Sequence, residues 1–403
     1  MTTTSPVAAD LSAAVTGLVP ELTALRRALH QIPELGYEEV RTAERVRAEL
    51  DAAGIEYKAG LAGGTGIVAY LPATRGGSET VALRADMDAL PIAENTGAAW
   101  ASGTPGKMHA CGHDGHMTIL LGAAKALAKM DRPNNVTFVF QPAEEGGAGG
   151  ERMCADGALK GAAGGGIGKP VDRIFGLHGW PEQDLGTIGT RGGPLLAATD
   201  EFEITIHGTQ GHAAFPHFAK DPVVCAAQVI TALQTLPSRE TDPVDSSVVT
   251  VGSIHGGSAH NVIPASVELI GTVRTLKDET RTTMRTRLHE LVNGLSQAMG
   301  CRAEIAWHEG YPVTHNSAEL AEKVLEVGSA ALGTDCAVRI ESPFMGGEDF
   351  SYYGHQVPAC FFTLGLKPEG AGAVPLLHQA EFDFNDDAIG VGVEMFCRLV
   401  TDH

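Results

Sequence analysis

Residues 117–147, MTILLGAAKALAKMDRPNNVTFVFQPAEEGG, decide the fold. The apolar stretch from Met117 to Met130 reads as a helix, Asp131 to Asn135 breaks it, and Val136 to Gln141 is a β-rich run that reads as a strand. Downstream, Ala148 to Leu159 reads as a further helix and Arg173 to Leu177 as a further strand. Upstream, Leu22, Leu25 and Leu29 recur at helical spacing within a helix expected over Pro20–Ile32, with Pro20 in its first turn. A second helix is expected over Thr42–Ala53, ending near Gly54, and strands over Gly66–Leu71 and Thr80–Arg84. Alternation of this kind predicts an α/β sheet, mostly parallel, whose strand ends carry the chemistry.

The texture changes past Trp180. Strands are expected over Asp200–His207, Ser247–Ile254, Val267–Arg274 and Ala303–Trp307, with helices over Pro222–Leu236 and Glu279–Met299. Two strand–helix–strand units suit a small α+β domain with a four-stranded sheet and two helices on one face. A helix over Glu319–Ala331 and the segments Met345–Tyr353 and Leu376–Asp387 follow. The expected organisation is a discontinuous catalytic domain of residues 1–190 and 312–403, interrupted by an inserted domain over 191–311.

A chain of 403 residues is long enough to bury an active-site cavity, and 43% hydrophobic with 19% charged residues is a globular composition. Aromatics amount to 5% while glycine reaches 50 residues, which suits an α/β enzyme with tight turns. The formal charge of −20 repels phosphate backbones and anionic lipid, so neither nucleic acid nor membrane is an expected partner. Met1 to Ala14 has no basic region followed by an apolar stretch, so no secretory signal is expected. Seven scattered cysteines argue against a disulfide framework and for a reducing cytoplasm.

Metal-capable side chains crowd one loop, Met108-His109-Ala110-Cys111-Gly112-His113-Asp114-Gly115-His116. Imidazole and thiolate are borderline-soft ligands suited to zinc and its neighbours. Glu144 and Glu145 follow the strand at Gln141; one of two adjacent carboxylates can bind metal while the other faces substrate. His178, in Leu177-His178-Gly179-Trp180, and His378, in Leu376-Leu377-His378-Gln379, complete the set. Each histidine alone is more often a packing residue. Cys111, His113, Glu145, His178 and His378 together make five ligands at successive strand-end loops, enough for two metals sharing a bridging water.

The segments Leu83 to Pro91, His109 to His116, Gln141 to Gly147, Met345 to Phe350 and His378 to Asp386 resemble metallopeptidase family twenty. Within it they are similar to the branch of hippurate hydrolases, N-acyl-amino-acid amidohydrolases and auxin-conjugate hydrolases, as is Arg26 to Gly36. The resemblance covers nearly the whole chain. It implies a zinc-exopeptidase-like catalytic domain, an inserted lid and dimerisation domain, a pair of divalent metals on the five residues above, and Glu144 as the catalytic base. The metal implied is zinc, with manganese, cobalt and nickel as alternatives, because Asp86 stands where related dipeptidases carry a ligand histidine and Cys111 enters instead. Asp86 and Asp88 then support the ligands without binding metal. In the inserted domain, His212 resembles the histidine that reaches a partner subunit's active site and stabilises the oxyanion, while Asn261 and Arg274 resemble substrate-contacting residues. The expected reaction is hydrolysis of an N-acyl amino acid, or of a peptide as in a dipeptidase or carboxypeptidase, by a homodimer joined through the inserted domain, with a higher oligomer as the alternative. Two other readings stay open: a cysteine hydrolase with Cys111 as nucleophile and His113 or His116 as base, and a metal-binding protein without catalysis.

Overall fold

The computed structural model describes residues 6–402. The chain opens with α1 (Pro6–His30), α2 (Val40–Ala52), β1 (Glu56–Leu61), β2 (Gly66–Leu71), β3 (Thr80–Asp86), α3 (His113–Ala128), β4 (Asn135–Gln141), α4 (Gly149–Ala155), β5 (Arg173–Asp184), β6 (Ile188–Thr190) and β7 (Gly193–Leu196). It continues through β8 (Ala198–His207), β9 (Gly211–His212), α5 (Pro222–Leu233), β10 (Ser247–Gly256), β11 (Val262–Ile263), β12 (Ser266–Thr275), α6 (Asp278–Ala298), β13 (Arg302–Glu309) and β14 (Thr314–Asn316). It closes with α7 (Ala318–Leu332), β15 (Ala337–Arg339), α8 (Ser351–Gly354), β16 (Ala359–Lys367) and α9 (Ile389–Thr401).

Two compact units result. The first comprises Met1–Leu195, His315–Ser342 and Asp349–His403, and the second Leu196–Thr314 with Pro343–Glu348. Against boundaries expected after residues 190 and 311, the chain leaves the first unit at Leu195 and returns at His315. The hexapeptide Pro343–Glu348 also joins the second unit, because Ala197 N–H donates to Gly346 O at 2.9 Å and the Thr314 hydroxyl to Glu348 O at 3.0 Å.

The first unit is built on an eight-stranded sheet in the order β1-β2-β4-β3-β5-β16-β6-β15. Its centre is parallel, with β4, β3, β5 and β16 running together, and antiparallel pairing appears where β1 meets β2, β2 meets β4 and β6 meets β16. Every residue of β3 and β4 is buried, as strands covered on both faces require. Helix α3 is buried along nearly its whole length and packs against α1 and α9. The second unit is an antiparallel sheet in the order β10-β12-β8-β13. Helices α5 and α6 close a separate core with it, around Phe202, Ile204, Val229, Leu269, Met284 and Leu288.

Two expectations about elements need correction, and two elements went unread. Helix α1 begins at Pro6, so Pro20 sits in its interior and not in its first turn; buried Leu11 and Val15 continue the apolar face that Leu22 and Leu25 share. Helix α3 begins at His113, four residues earlier than the apolar run at Met117, since the histidines that start it are themselves buried. Strand β16 and helix α9, unread in the sequence, supply the sheet's partner for β5 and the helix against α3. Among the described residues, no helix is long and apolar enough to cross a membrane.

Candidate metal centre

Five backbone segments of the first unit deliver the donors and the carboxylates that support them. Asp86 ends β3, and Asp88 lies two residues on. Cys111 closes the loop that enters α3 through Gly112, whose φ of +86° suits glycine and where an added Cβ would stand 3.0 Å from the Phe384 ring. Glu144 and Glu145 follow β4 after Ala143, which is held at φ +53°, a costly conformation for a residue with a Cβ. The Ala143 amide donates to the buried Glu39 carboxylate at 2.8 Å and Gly149 N–H donates to Ala143 O at 3.0 Å, so neighbours hold the strained residue in place. His178 lies on β5, and His378 sits at φ +64° with its amide donating to Ala110 O at 2.8 Å.

The sulfur of Cys111 lies 3.3 Å from Nε2 of His178 and 3.3 Å from Nε2 of His378. Donor atoms fall within 4.8 Å of one another in the groupings Cys111–His113–His178, Cys111–Glu145–His378 and His113–Glu144–Glu145. A tetrahedral ion at roughly 2.3 Å from sulfur and 2.1 Å from nitrogen has ligand–ligand edges of about 3.5 Å. The spacing therefore fits two cations with Cys111 common to both. The buried His113 ring sets Nδ1 3.3 Å from Asp88 Oδ1, and its Nε2 has no hydrogen-bond partner among the described residues, which fits a ligand nitrogen kept for an ion. All five expected ligands thus lie in one constellation.

Electrostatics favour cations here. Burial, with the Glu145 and Glu144 carboxylates beside it, pushes the Cys111 thiol well above its ordinary value. Burial alone would lower His113, but Asp86 and Asp88 outweigh it and push the imidazole up to about 10. Burial and the neighbouring His116 hold His178 well below its ordinary value. A buried thiol among carboxylates ionises only when positive charge is supplied, which a metal does. The same surroundings make Cys111 a poor nucleophile, and His116, one of the two bases open to that reading, has both ring nitrogens engaged elsewhere.

Asp88 organises the glutamates. Its Oδ1 accepts from Glu144 N–H and its Oδ2 from Glu145 N–H, each at 2.9 Å, while Oδ1 lies 3.3 Å from His113 Nδ1. Asp86 accepts from Arg84 Nη1 and His116 Nδ1, both at 2.7 Å. Sequence reasoning gave no part to Arg84, Gln141 or Asp349, which form a buried lattice below Glu144. Arg84 donates to Gln141 and to Asp349, each at 2.9 Å, and Asp349 N–H reaches Glu144 Oε1 at 3.4 Å. Asp349 lay in a motif already singled out; only the tertiary contact reveals its role. His109, the first histidine of the crowded loop, joins none of the donor groupings and is buried with burial pushing it down to about 4.

The second unit holds the expected substrate contacts. His212 on β9 is exposed and accepts through Nδ1 from Ala214 N–H at 3.0 Å, leaving Nε2–H to donate. Asn261 is beside it, since Ala213 N–H donates to Asn261 O at 3.0 Å. Arg274 is not with them. It is half-buried on β12, donating to Thr272 and Val273 O, eight residues beyond Ser266 and so about 26 Å along the strand.

A profile of the family described as Peptidase family M20/M25/M40 matches residues 82–402. An Arabidopsis thaliana relative described as IAA-amino acid hydrolase ILR1-like 4 is 39% identical over 386 residues, covering 94% of this chain and 85% of that protein. A Halalkalibacterium halodurans N-acetyldiaminopimelate deacetylase is 38% identical over 376 residues, covering 93% of this chain and 97% of its own length. The crystal structure of the Bacillus subtilis YXEP protein, described as a dinuclear metal binding peptidase from this family, superposes with a TM-score of 0.81 at 31% identity, covering 96% of this chain and 98% of that one.

Proposed function

Because the chain belongs to peptidase family M20/M25/M40 and is a hydrolase of amide bonds, we propose that it cleaves N-acyl amino acids, with Cys111, His113, Glu145, His178 and His378 holding two divalent metals and Glu144 as general base. The observation that carries this reading is Cys111 shared between two donor groupings with the buried Glu144 carboxylate beside one of them. Zinc is the ion favoured by a thiolate and three imidazoles, with manganese, cobalt or nickel as the alternatives. When bound, the cations lower the pKa of water toward about 7 and polarise the amide carbonyl.

Glu144 takes the proton of the attacking water and returns it to the amine nitrogen, which leaves badly unless protonated. Asp88, by holding both glutamate amides, keeps the Glu144 and Glu145 carboxylates in register with His113. Asp349, through its own amide, limits the swing of Glu144. Asp86 supports His116 and takes no metal in this reading. His212 donates through Nε2–H to the carbonyl oxygen as it gains charge, Asn261 contacts the substrate, and Arg274 pairs with the amino-acid carboxylate.

About 26 Å separates Arg274 from the His212–Asn261 end of β12, too far for one small substrate to touch both. This supports a homodimer in which His212 and Asn261 serve the partner's site. The same reading assigns catalysis to residues 1–190 and 312–403 and the lid and dimer contact to 191–311. Seven unpaired thiols suit a reducing cytoplasm.

The test is a panel of N-acetyl and N-benzoyl amino acids and dipeptides, run beside metal analysis of the same preparation. Glu144→Gln should keep its metals and lose about 10²–10⁴-fold in kcat, whereas His113→Ala should lose metal. A Glu144→Gln enzyme at near-normal rate, or full metal content in His113→Ala, removes those assignments, and preference for dipeptides moves the substrate class to peptides.

A further inference from the structure

His116 is the one histidine of the crowded loop whose two ring nitrogens are both committed. Helix α3 places it one turn after His113, so the two rings project from the same helical face. Its Nδ1 lies 2.7 Å from Asp86 Oδ1, and Gly179 N–H donates to its Nε2 at 2.8 Å. These contacts determine the tautomer. Asp86 is a carboxylate clamped by Arg84 at 2.7 Å and only accepts, so Nδ1 carries the proton; a backbone amide only donates, so Nε2 presents a lone pair. Although donor atoms of Asp86, His113 and His116 lie within 4.8 Å of one another, no free nitrogen of His116 remains for an ion.

The residue that His116 holds is the one that aims a ligand. Gly179 O accepts from Nδ1 of His178 at 2.8 Å, which makes Nε2 of His178 the unprotonated nitrogen and leaves it directed at Cys111, 3.3 Å away. Gly179 lies beyond the last pairing of β5 with β3, at Gly176, so the β3 ladder no longer supports it on that side. A side chain at 179 is excluded, because a Cβ would stand 2.8 Å from Leu366 and 2.9 Å from Phe384. The ring of His116 packs edge-on to that of His178 with centroids 4.6 Å apart. A continuous path thus runs from Arg84 through Asp86, His116 and the Gly179 backbone to His178.

We propose that His116 is a positioning residue of the metal centre: by bridging Asp86 and the Gly179 amide it fixes the tautomer and aim of His178 without itself binding metal. This rests on the reading of His178 as a ligand. Partners of this kind, once removed, cost roughly 10–100-fold in metal affinity.

Two substitutions separate the acceptor from mere bulk. In His116→Asn the amide nitrogen can still donate to Asp86 but stops short of Gly179, whereas in His116→Gln the carbonyl oxygen reaches the position of Nε2. Metal affinity is measured by chelator competition on the reconstituted protein, together with the visible absorption of the cobalt-substituted form. His116→Asn should bind about 10–100-fold more weakly with an altered cobalt spectrum, and His116→Gln should recover most of both. Wild-type affinity and spectrum in His116→Asn, or equal losses in the two variants, overturn the proposal. Long-range proton–nitrogen spectra of the wild-type protein give a second readout that needs no variant to fold. His116 should show Nδ1–H and an unprotonated Nε2, with and without metal; an Nε2–H tautomer or a metal-shifted His116 nitrogen overturns it. A wild-type protein that takes up no metal sinks the metal reading instead, and the apo-protein spectra still decide the tautomer.

Discussion

His30 shows how much a single buried contact can commit. It is fully buried on α1, and its Nδ1 lies 2.8 Å from Asp114, the residue after His113. Burial alone would lower its pKa, but the Asp114 carboxylate outweighs burial and raises it from 6.5 to about 9. A folded-state pKa above the unfolded one adds stability that is complete below pH 6.5 and lost as pH rises through about 9. That rise corresponds to roughly 3 kcal/mol. Urea unfolding of the metal-loaded protein should therefore show a fall of up to about that size between pH 6.5 and 9.5, and His30→Gln should flatten it. Identical pH profiles for the two proteins would show that the ion pair contributes nothing. The coupling was invisible in sequence, since residues 30 and 114 are brought together only by the packing of α1 on α3.

At the scale of elements, α9 teaches the same lesson about packing. Its glycine at 392 meets Ile119 of α3 so closely that a Cβ would lie 2.6, 2.9 and 3.0 Å from three of its side-chain atoms. Ile119 is fully buried and β-branched, so it has no spare rotamer to adopt. Gly17, on exposed α1 surface, meets nothing within 4 Å. Replacing a helical glycine by alanine gains about 0.5–1 kcal/mol from chain entropy, while overpacking a core costs about 1–3 kcal/mol. Gly17→Ala should consequently raise the urea midpoint and Gly392→Ala lower it; two shifts of the same sign would contradict this account of the α3–α9 contact. The strands and helices of strongest periodicity were legible beforehand, as β2 over Gly66–Leu71 illustrates. The start of α3 was not, because a helix whose first turn is His113-Asp114-Gly115-His116 carries no apolar signal there.

For the whole molecule, the proposed dimer makes a quantitative demand. Chains carrying Glu144→Gln and chains carrying His212→Ala should each be nearly inactive alone. Mixed and allowed to exchange subunits, half of the dimers become mixed, and each mixed dimer regains one of its two sites, so activity should return to about a quarter of wild type. Exchange without any recovery would place His212 in its own chain's site or outside catalysis. The restored activity is read with the same substrate that serves the wild-type enzyme.

The α/β class, the crowded loop at 109–116 and the five donors proposed as ligands were legible in the chain alone, because hydrophobic period and side-chain chemistry are local properties that survive without coordinates. The chain also carried the family resemblance, since that rests on motif order along it. Packing in three dimensions was needed to show that Cys111 is shared between two donor groupings, that His109 joins none of them and that His116 is spent on Asp86 and Gly179. Those outcomes depend on which strand ends and helix turns the fold brings within a few ångströms of each other. Residues far apart in sequence, such as Arg84 and Asp349, become hydrogen-bonded neighbours through that packing and no local pattern records it.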